Sequence, residues 1–363
     1  MHKIDQPFCK AKNPMGCVTA VTDKVYMSDY VNVALDAMGG DNAPGEIVKG
    51  AVDAVNENGN VKVFLVGSHD AVASELAKYT YPSDRIETVD STEIIEMDEP
   101  PVMAIRKKKD SSLVIAMNLV KEGKCDAFVS AGSTGAVLAG GQLLVGRIKG
   151  VERPPLAPLI PNANGVSLLV DCGANVDARP SHLVQFAKMG SAYMKYAMGV
   201  DRPRVALLNI GVEEEKGNAL VKETYPLLKM CTDINFIGSI EAREIPAGGA
   251  DVIVCEAFAG NVALKMYEGV GKVLLSKMKG ALMKNPATKI GALLIKKSLK
   301  ETLTAFDAAQ YGGAPLLGLR GLVVKTHGSA KANEVRNSII QCITFKEQDV
   351  NGKIKQYLDP DTN

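Results

Sequence analysis

From residue 31 onward, short apolar runs ending in glycine or a small polar residue alternate with stretches whose apolar positions recur every three to four residues. The runs predict strands at Val31–Ala37, Val61–Val66, Ile86–Val89, Ala127–Val129, Leu156–Ile160, Ser167–Cys172, Arg204–Ile210, Ile234–Ile237, Asp251–Cys255 and Leu322–Lys325. The helical spacing predicts helices over Pro44–Asn56, Asp70–Lys78, Ser112–Glu122, Thr134–Val145, Ser181–Tyr196 and Glu215–Lys229. In the first of these, Ile47, Val48, Ala51 and Val55 supply the apolar positions. Such alternation predicts an α/β fold with a largely parallel sheet covered by helices on both faces. Ligands then belong at the carboxyl ends of the strands. Residues 1–29 carry no sustained periodicity and are expected to form an extension without packed structure.

Residues 262–306 carry a different pattern. Tyr267, Val270, Leu274, Met278 and Ala281 form one helical stripe, Asn285-Pro286 interrupts it, and Ala292, Ile295, Leu299 and Leu303 form a second. Ile290, Leu293 and Leu294 add apolar surface off that second stripe, more than a one-sided helix needs. Between Lys265 and Glu301 there are nine lysines against two glutamates, so two basic amphipathic helices are expected. Such an arm suits a protein contact, an anionic lipid surface or an acidic protein partner.

Composition narrows the class. The chain has 363 residues, 46% hydrophobic and 23% charged, with 42 basic against 41 acidic side chains. A core of useful size is possible, and no overall field attracts nucleic acid. With no tryptophan and 5% aromatics, a base-stacking surface is not indicated. The cysteines at 9, 17, 125, 172, 231, 255 and 342 make no C-x-x-C pair and have no histidine at ligand spacing, so no metal site is expected and reduced thiols fit. No run of about 18 apolar residues suggests a membrane span.

Candidate chemistry sits at strand ends. Asp36-Ala37-Met38-Gly39-Gly40-Asp41-Asn42-Ala43-Pro44 leads from a strand to a helix, with Asn42 as a candidate cap and the glycines as a backbone nest for an anion. A tight turn explains the same residues. Ser130-Ala131-Gly132-Ser133-Thr134-Gly135 offers hydroxyls and amides to a phosphate, or simply caps the next helix. Asp171-Cys172-Gly173-Ala174-Asn175 ends a third strand, and a fourth junction places Lys216 behind Glu213, Glu214 and Glu215. A fifth runs from Glu256 through Gly260 and Asn261 into a helix, where Asn261 can cap or donate its amide to a substrate. His182 and His327 are acid–base candidates, although a structural hydrogen bond accounts for either.

Taken in order, DAMGGD, SAGSTG, DCGANVDARPSHLVQFAKMG, LLNIG-x-E-x-x-KGN, AGNVALK, YGGAPLLGL and KTHGS resemble the bacterial phosphate acyltransferase family from about residue 31 to 345. The resemblance implies a three-layer α/β/α fold, isocitrate/isopropylmalate dehydrogenase-like and related to phosphate acetyltransferase, and a homodimer. It implies transfer of a fatty acyl group from acyl carrier protein to inorganic phosphate for phospholipid synthesis, without a cofactor or metal. It places the functional positions on Lys216 and Asn261. Beside them, Asp36, Gly39, Gly40, Ser130, Gly132, Ser133, Thr134, Gly135, Asn175 and Gly260 are expected to bind the substrate or its phosphate. The family commonly reads SAGNTG and DGFTGN where this chain has Ser133 and Glu256, Ala257 and Ala259. The resemblance also favours a cytoplasmic protein peripherally attached to the inner face of the membrane through 262–306. The acyltransferase domain is expected at 30–345, followed by a tail at 346–363. Rival readings are a decarboxylating dehydrogenase, a phosphate acetyltransferase using coenzyme A, and a non-catalytic membrane scaffold.

Overall fold

In the computed structural model, which describes residues 30–358, the alternating elements pair into two sheets rather than one. The first half supplies β1 (Val31–Asp36), α1 (Gly45–Glu57), β2 (Val61–Gly67), α2 (His69–Leu76), β3 (Ile86–Asp90), α3 (Pro101–Lys107), α4 (Ser112–Lys121), β4 (Ala127–Ser130) and α5 (Thr134–Gly140). Next come β5 (Leu159–Asn162), β6 (Gly165–Val170), α6 (Pro180–Tyr196), β7 (Arg204–Asn209), α7 (Ala219–Met230), β8 (Asn235–Glu241), β9 (Val252–Val254), α8 (Ala257–Leu282) and α9 (Pro286–Ala305). The chain then returns through β10 (Ala314–Leu316), β11 (Leu322–Lys325), α10 (Ala332–Glu347) and α11 (Val350–Leu358). The extension expected at 1–29, with Cys9 and Cys17, lies outside the described residues.

The first sheet has the order β10-β11-β4-β1-β2-β3 and the second β5-β6-β9-β7-β8. All pairings are parallel except those of the edge strands β10 and β5. Two groups of adjacent strand ends follow: β11, β4 and β1 in one sheet, β6, β9 and β7 in the other. The central strands are covered on both faces, which is why they read as continuous apolar runs. Ala34 and Leu35, consecutive in β1 and therefore on opposite faces, are 0% and 1% exposed. One apolar cluster joins the sheets, holding Leu35, Val129 and Val324 of the first with Val170, Leu207 and Val254 of the second. Each such side chain contributes roughly 1.5–3 kcal/mol on burial.

Several elements differ from the expected boundaries for local reasons. The helix expected from Glu215 begins at Ala219 because Asn218 Oδ1 accepts from Val221 N at 2.9 Å, leaving the three glutamates in the preceding loop. The helix expected over 134–145 changes at Gly140 into a π turn, Gly141–Val145. The strand expected from Leu156 starts at Leu159, since Leu156 instead bridges to Leu316. Packed structure continues beyond residue 345: Val350 and Ile354 of α11 are fully buried, and the helix packs on α6.

The interruption at Asn285 forms as the pattern predicts, with Asn285 Oδ1 accepting from Thr288 N at 2.9 Å. In α8, Ala257 and Gly260 are buried near the start, whereas Val262, Met266, Val270, Val273 and Leu274 are exposed. Tyr267 Oη ties this arm to the second sheet, donating to Pro161 O at 2.6 Å. An open groove of about 920 Å³ lies between the arm and β5, with Leu159, Leu275, Ala292 and Leu303 in its walls and Lys272, Lys296 and Lys300 among its polar groups. Among the described residues, no helix is long and apolar enough to cross a membrane.

Candidate active site

The first rim is organised by Asp36, the last residue of β1. Its side chain is buried, with Oδ1 accepting from Ser112 Oγ at 2.6 Å and Met38 N at 3.3 Å, and Oδ2 accepting from Ser130 Oγ at 2.7 Å. Burial raises its pKa and these donors partly oppose that shift. Ser130 Oγ also accepts from Gly132 N at 2.9 Å, so the Gly132 amide is used within the rim. A Cβ at Gly39 would stand 2.5 Å from Asp36 Oδ2 and 2.8 Å from Gly132 N. Only a residue without one permits the DAMGG and SAGSTG turns to meet.

The KTHGS turn completes this rim. Thr326 N donates to Ser130 O at 2.9 Å, and Asp41 N donates to Gly328 O at 2.8 Å. Asn42, expected as a helix cap, instead donates to Ser329 O and Ala330 O, while Pro44 holds the cap position of α1. At Gly40, with φ +99°, an added Cβ would lie 2.7 Å from Ala131 Cβ and 2.9 Å from Gly328 O. Ser133 caps α5, accepting from Ala136 N at 3.4 Å. Thr134 is exposed, and an added Cβ at Gly135 would stand 2.5 Å from Pro101 Cγ.

Lys325 lies beneath these turns. It is 7% exposed, and its Nζ donates to Ala131 O at 3.3 Å and to Thr326 O. Burial pushes its pKa down to about 8. The sequence reading used Lys325 only as a strand end; the overlooked signal is a lone cation closing the apolar run Leu322-Val323-Val324.

The second rim begins at Asp171, after β6. Its Oδ1 accepts from the amides of Leu156, Gly173 and Ala174, and its Oδ2 from Asn175 N and Nδ2 at 2.8 and 2.7 Å. Asn175 Nδ2 also donates to Pro154 O at 3.0 Å. Both amide hydrogens of Asn175 are therefore used in shaping the turn, which removes them from the phosphate contact expected of this residue. Gly260 is a packing position: an added Cβ would lie 1.9 Å from Asp171 O.

Asn261 does not cap α8. Glu256 does so, accepting from Phe258 N at 2.6 Å and Ala259 N at 2.7 Å. Asn261 is exposed in the helix and has no side-chain hydrogen bond among the described residues. Lys216 follows β7, which is paired in parallel with β9, so the segments bearing Lys216 and Asn261 leave the same edge of neighbouring strands. Lys216 Nζ pairs with Glu213 Oε1 at 2.8 Å, which raises the lysine pKa. That exposed pair is weakly held and can exchange for another anion.

Lys265 lies one turn beyond Asn261 in α8. It pairs with Glu268 at 2.8 Å and acts electrostatically on both Cys172 after β6 and Lys325 at the end of β11. Leu156 and Ala174 pack with Leu316 and Leu319 in one apolar cluster.

The histidines separate in role. His182 is buried, accepts from Arg179 N through Nδ1 at 3.1 Å and places Nε2 3.1 Å from Glu152, a structural position at the start of α6. Burial lowers its pKa. His327 lies in the KTHGS turn, exposed, with Nδ1 2.9 Å from Ser329 Oγ. Cys172 and Cys255 are buried, and burial raises both thiol pKa values well above the ordinary range. Among the described residues, no group of three or more His, Cys, Asp or Glu side chains forms a candidate metal cluster.

Residues 31–353 match the family described as fatty acid synthesis protein. A phosphate acyltransferase from Clostridium botulinum is 51% identical over 330 residues, covering 91% of this chain and 99% of that protein. A phosphotransacetylase from Streptococcus pyogenes aligns with a TM-score of 0.59 at 17% identity, covering 88% of this chain and 95% of that one. A candidate 4-hydroxythreonine-4-phosphate dehydrogenase from Salmonella typhimurium aligns with a TM-score of 0.50 at 12% identity, covering 87% and 99% respectively. These two structures bear on fold alone. They agree with the α/β/α arrangement, isocitrate/isopropylmalate dehydrogenase-like.

Proposed function

The chain belongs to the phosphate acyltransferase family, matched over residues 31–353, and on that premise we propose that it moves a fatty acyl group from acyl carrier protein to inorganic phosphate. The products are the free carrier thiol and an acyl phosphate for phospholipid synthesis. The observation that carries this reading is the meeting of the 36–40, 130–132 and 325–328 turns at one rim, with Lys216 and Asn261 leaving a common edge of the neighbouring strands β7 and β9.

Phosphate is already anionic near neutral pH, so the demand is to bring it to the thioester against charge repulsion. Positioning supplies most of the acceleration. The glycine turns receive phosphate and Lys216 balances its charge from the second rim. A phosphate oxygen attacks the thioester carbonyl, and the Asn261 side-chain amide donates to the oxyanion of the tetrahedral intermediate. Collapse breaks the carbon–sulfur bond, leaving the acyl group on phosphate and the electron pair on sulfur. His327, exposed in the KTHGS turn, is the candidate donor of the proton that completes the thiol. Asp36, Ser130, Gly132 and Asn175 act by shaping the turns, because their polar atoms are engaged there.

The arm has a separate role in this reading. Its exposed apolar residues beside a lysine-rich surface support contact with a second copy, and with the acidic carrier or an anionic membrane at the cytoplasmic face.

Incubation with a fatty acyl carrier thioester tests the reaction. Phosphate-dependent thiol release with stoichiometric acyl phosphate is the expected result. Turnover only with a coenzyme A thioester identifies the phosphate acetyltransferase rival, nicotinamide reduction the dehydrogenase, and no thiol release the scaffold.

A further inference from the structure

Lys325 is a buried cation that forms no ion pair among the described residues. An ammonium has three N–H donors, and Nζ gives two of them to Ala131 O and Thr326 O. The third has no acceptor among the described residues. Beside it, Thr326 is 2% exposed and its Oγ1 has no hydrogen-bond partner. A buried charge and a buried hydroxyl left incomplete side by side are costly unless a ligand completes them.

An anion fits the open donors, because Lys325 Nζ and the Thr326 hydroxyl each have a hydrogen left to give. Asp36, Asp41 and Glu334 act on Lys325 electrostatically. Asp36 is engaged by Ser112, Ser130 and Met38, and Glu334 Oε1 accepts from His327 N at 2.8 Å. Lys265, from α8, places a second positive charge against Lys325. Lys265 is paired with Glu268 at 2.8 Å, an exposed pair that can exchange for another anion. Lys216, unlike Lys325, is paired with Glu213 and near Glu215 and Glu241.

We propose that Lys325 and Thr326 form the inner anchor of the phosphate site, with Lys265 of α8 adding positive charge. The site takes a tetrahedral oxyanion through the remaining Lys325 N–H and the Thr326 hydroxyl, beneath the glycine turns. The assignment of that anion as the acyl acceptor rests on the acyl-transfer reading; the anion site itself does not.

The test uses the full chain and inorganic phosphate alone, without acyl donor. Phosphate affinity is measured by calorimetry and the phosphate-induced rise in Tm by thermal unfolding, for wild type, Lys325→Met, Thr326→Val and Lys265→Met. Lys325→Met is expected to weaken phosphate binding at least about ten-fold and abolish the phosphate-induced rise, while Tm without phosphate is unchanged or higher. Thr326→Val and Lys265→Met are expected to weaken phosphate several-fold. A merely structural clamp gives the opposite pattern: a lower Tm without phosphate and an intact phosphate-induced rise. Unchanged phosphate affinity in folded Lys325→Met overturns the proposal; should that variant not fold, unchanged affinity in both other variants does so. The two readings fail separately. Lost phosphate binding in Lys325→Met with no acyl phosphate from wild type removes only acyl transfer. Acyl phosphate from wild type with unchanged phosphate binding in Lys325→Met removes only the anchor.

Discussion

Asp36 Oδ2 accepts a 2.7 Å hydrogen bond from Ser130 Oγ across 94 positions of sequence. The bond joins the turns after β1 and β4, and Ser130 passes the connection on by accepting from Gly132 N at 2.9 Å. The glycines of the first rim are therefore shaped by buried side chains rather than by loop sequence alone.

Ser130→Ala removes a donor from a buried carboxylate and an acceptor from a buried amide. It is expected to cost about 1–3 kcal/mol in urea unfolding. Phosphate KM is expected to rise as the turns separate, with thioester KM little changed. Equal stability to wild type would show that the bond does not hold the rim.

Lys216→Ala and Asn261→Ala remove exposed side chains and are expected to leave Tm close to wild type. Acyl phosphate formation is expected to fall about 10²- to 10³-fold in Asn261→Ala and at least comparably in Lys216→Ala. Near wild-type turnover by either purified variant removes that residue from the mechanism.

Lys325 gives stability a defined pH dependence. Its pKa is held down to about 8 from 10.5, so in this window the unfolded chain binds more protons at this position. Its contribution to stability therefore rises with pH from about 8 to about 10.5 and is lost as pH falls through the lower value. The facing groups are Asp36, Asp41, Glu334 and Lys265, with His327 bonded to Glu334. Relative to Lys325→Met, wild type is expected to gain up to about 3 kcal/mol across the window, since 2.5 pKa units correspond to about 1.36 kcal/mol each. Saturating phosphate is expected to flatten this rise by favouring the charged lysine. A stability difference constant with pH contradicts the assignment.

Charge reversal of Lys296, Lys297 and Lys300 is expected to reduce co-flotation with anionic vesicles. The effect should shrink as salt is raised. Equal flotation of variant and wild type rules out lysine-driven adsorption.

The legible part of the fold was set by local burial. Runs such as Val31-Asn32-Val33-Ala34-Leu35 and Leu322-Val323-Val324 identify central strands because both sheet faces are covered. Division into two sheets was not legible, since strand partners are chosen by packing between distant segments. β10 escaped notice because it has three residues with Pro315 at its centre and pairs at an edge. The strand expected at Ile234–Ile237 shifts to β8, where its pairing with β7 is irregular and Gly238 adopts φ +101°.

At the site, small-residue turns marked the strand ends but not the commitments of their polar atoms. Asn42 and Asn175 have suitable chemistry for a cap and a ligand, yet distant carbonyls or a neighbouring carboxylate take their donors. Lys325 was hidden for the opposite reason: its local sequence suggests an exposed strand end, and only the three assembled turns bury it.

Anomalous diffraction from a crystal soaked in arsenate, a heavy analogue of phosphate, locates the anion directly. The account predicts one peak at the first rim, about 3 Å from Lys325 Nζ and Thr326 Oγ1. A peak at a distant surface, or packed apolar side chains filling that position with no peak there, would contradict it.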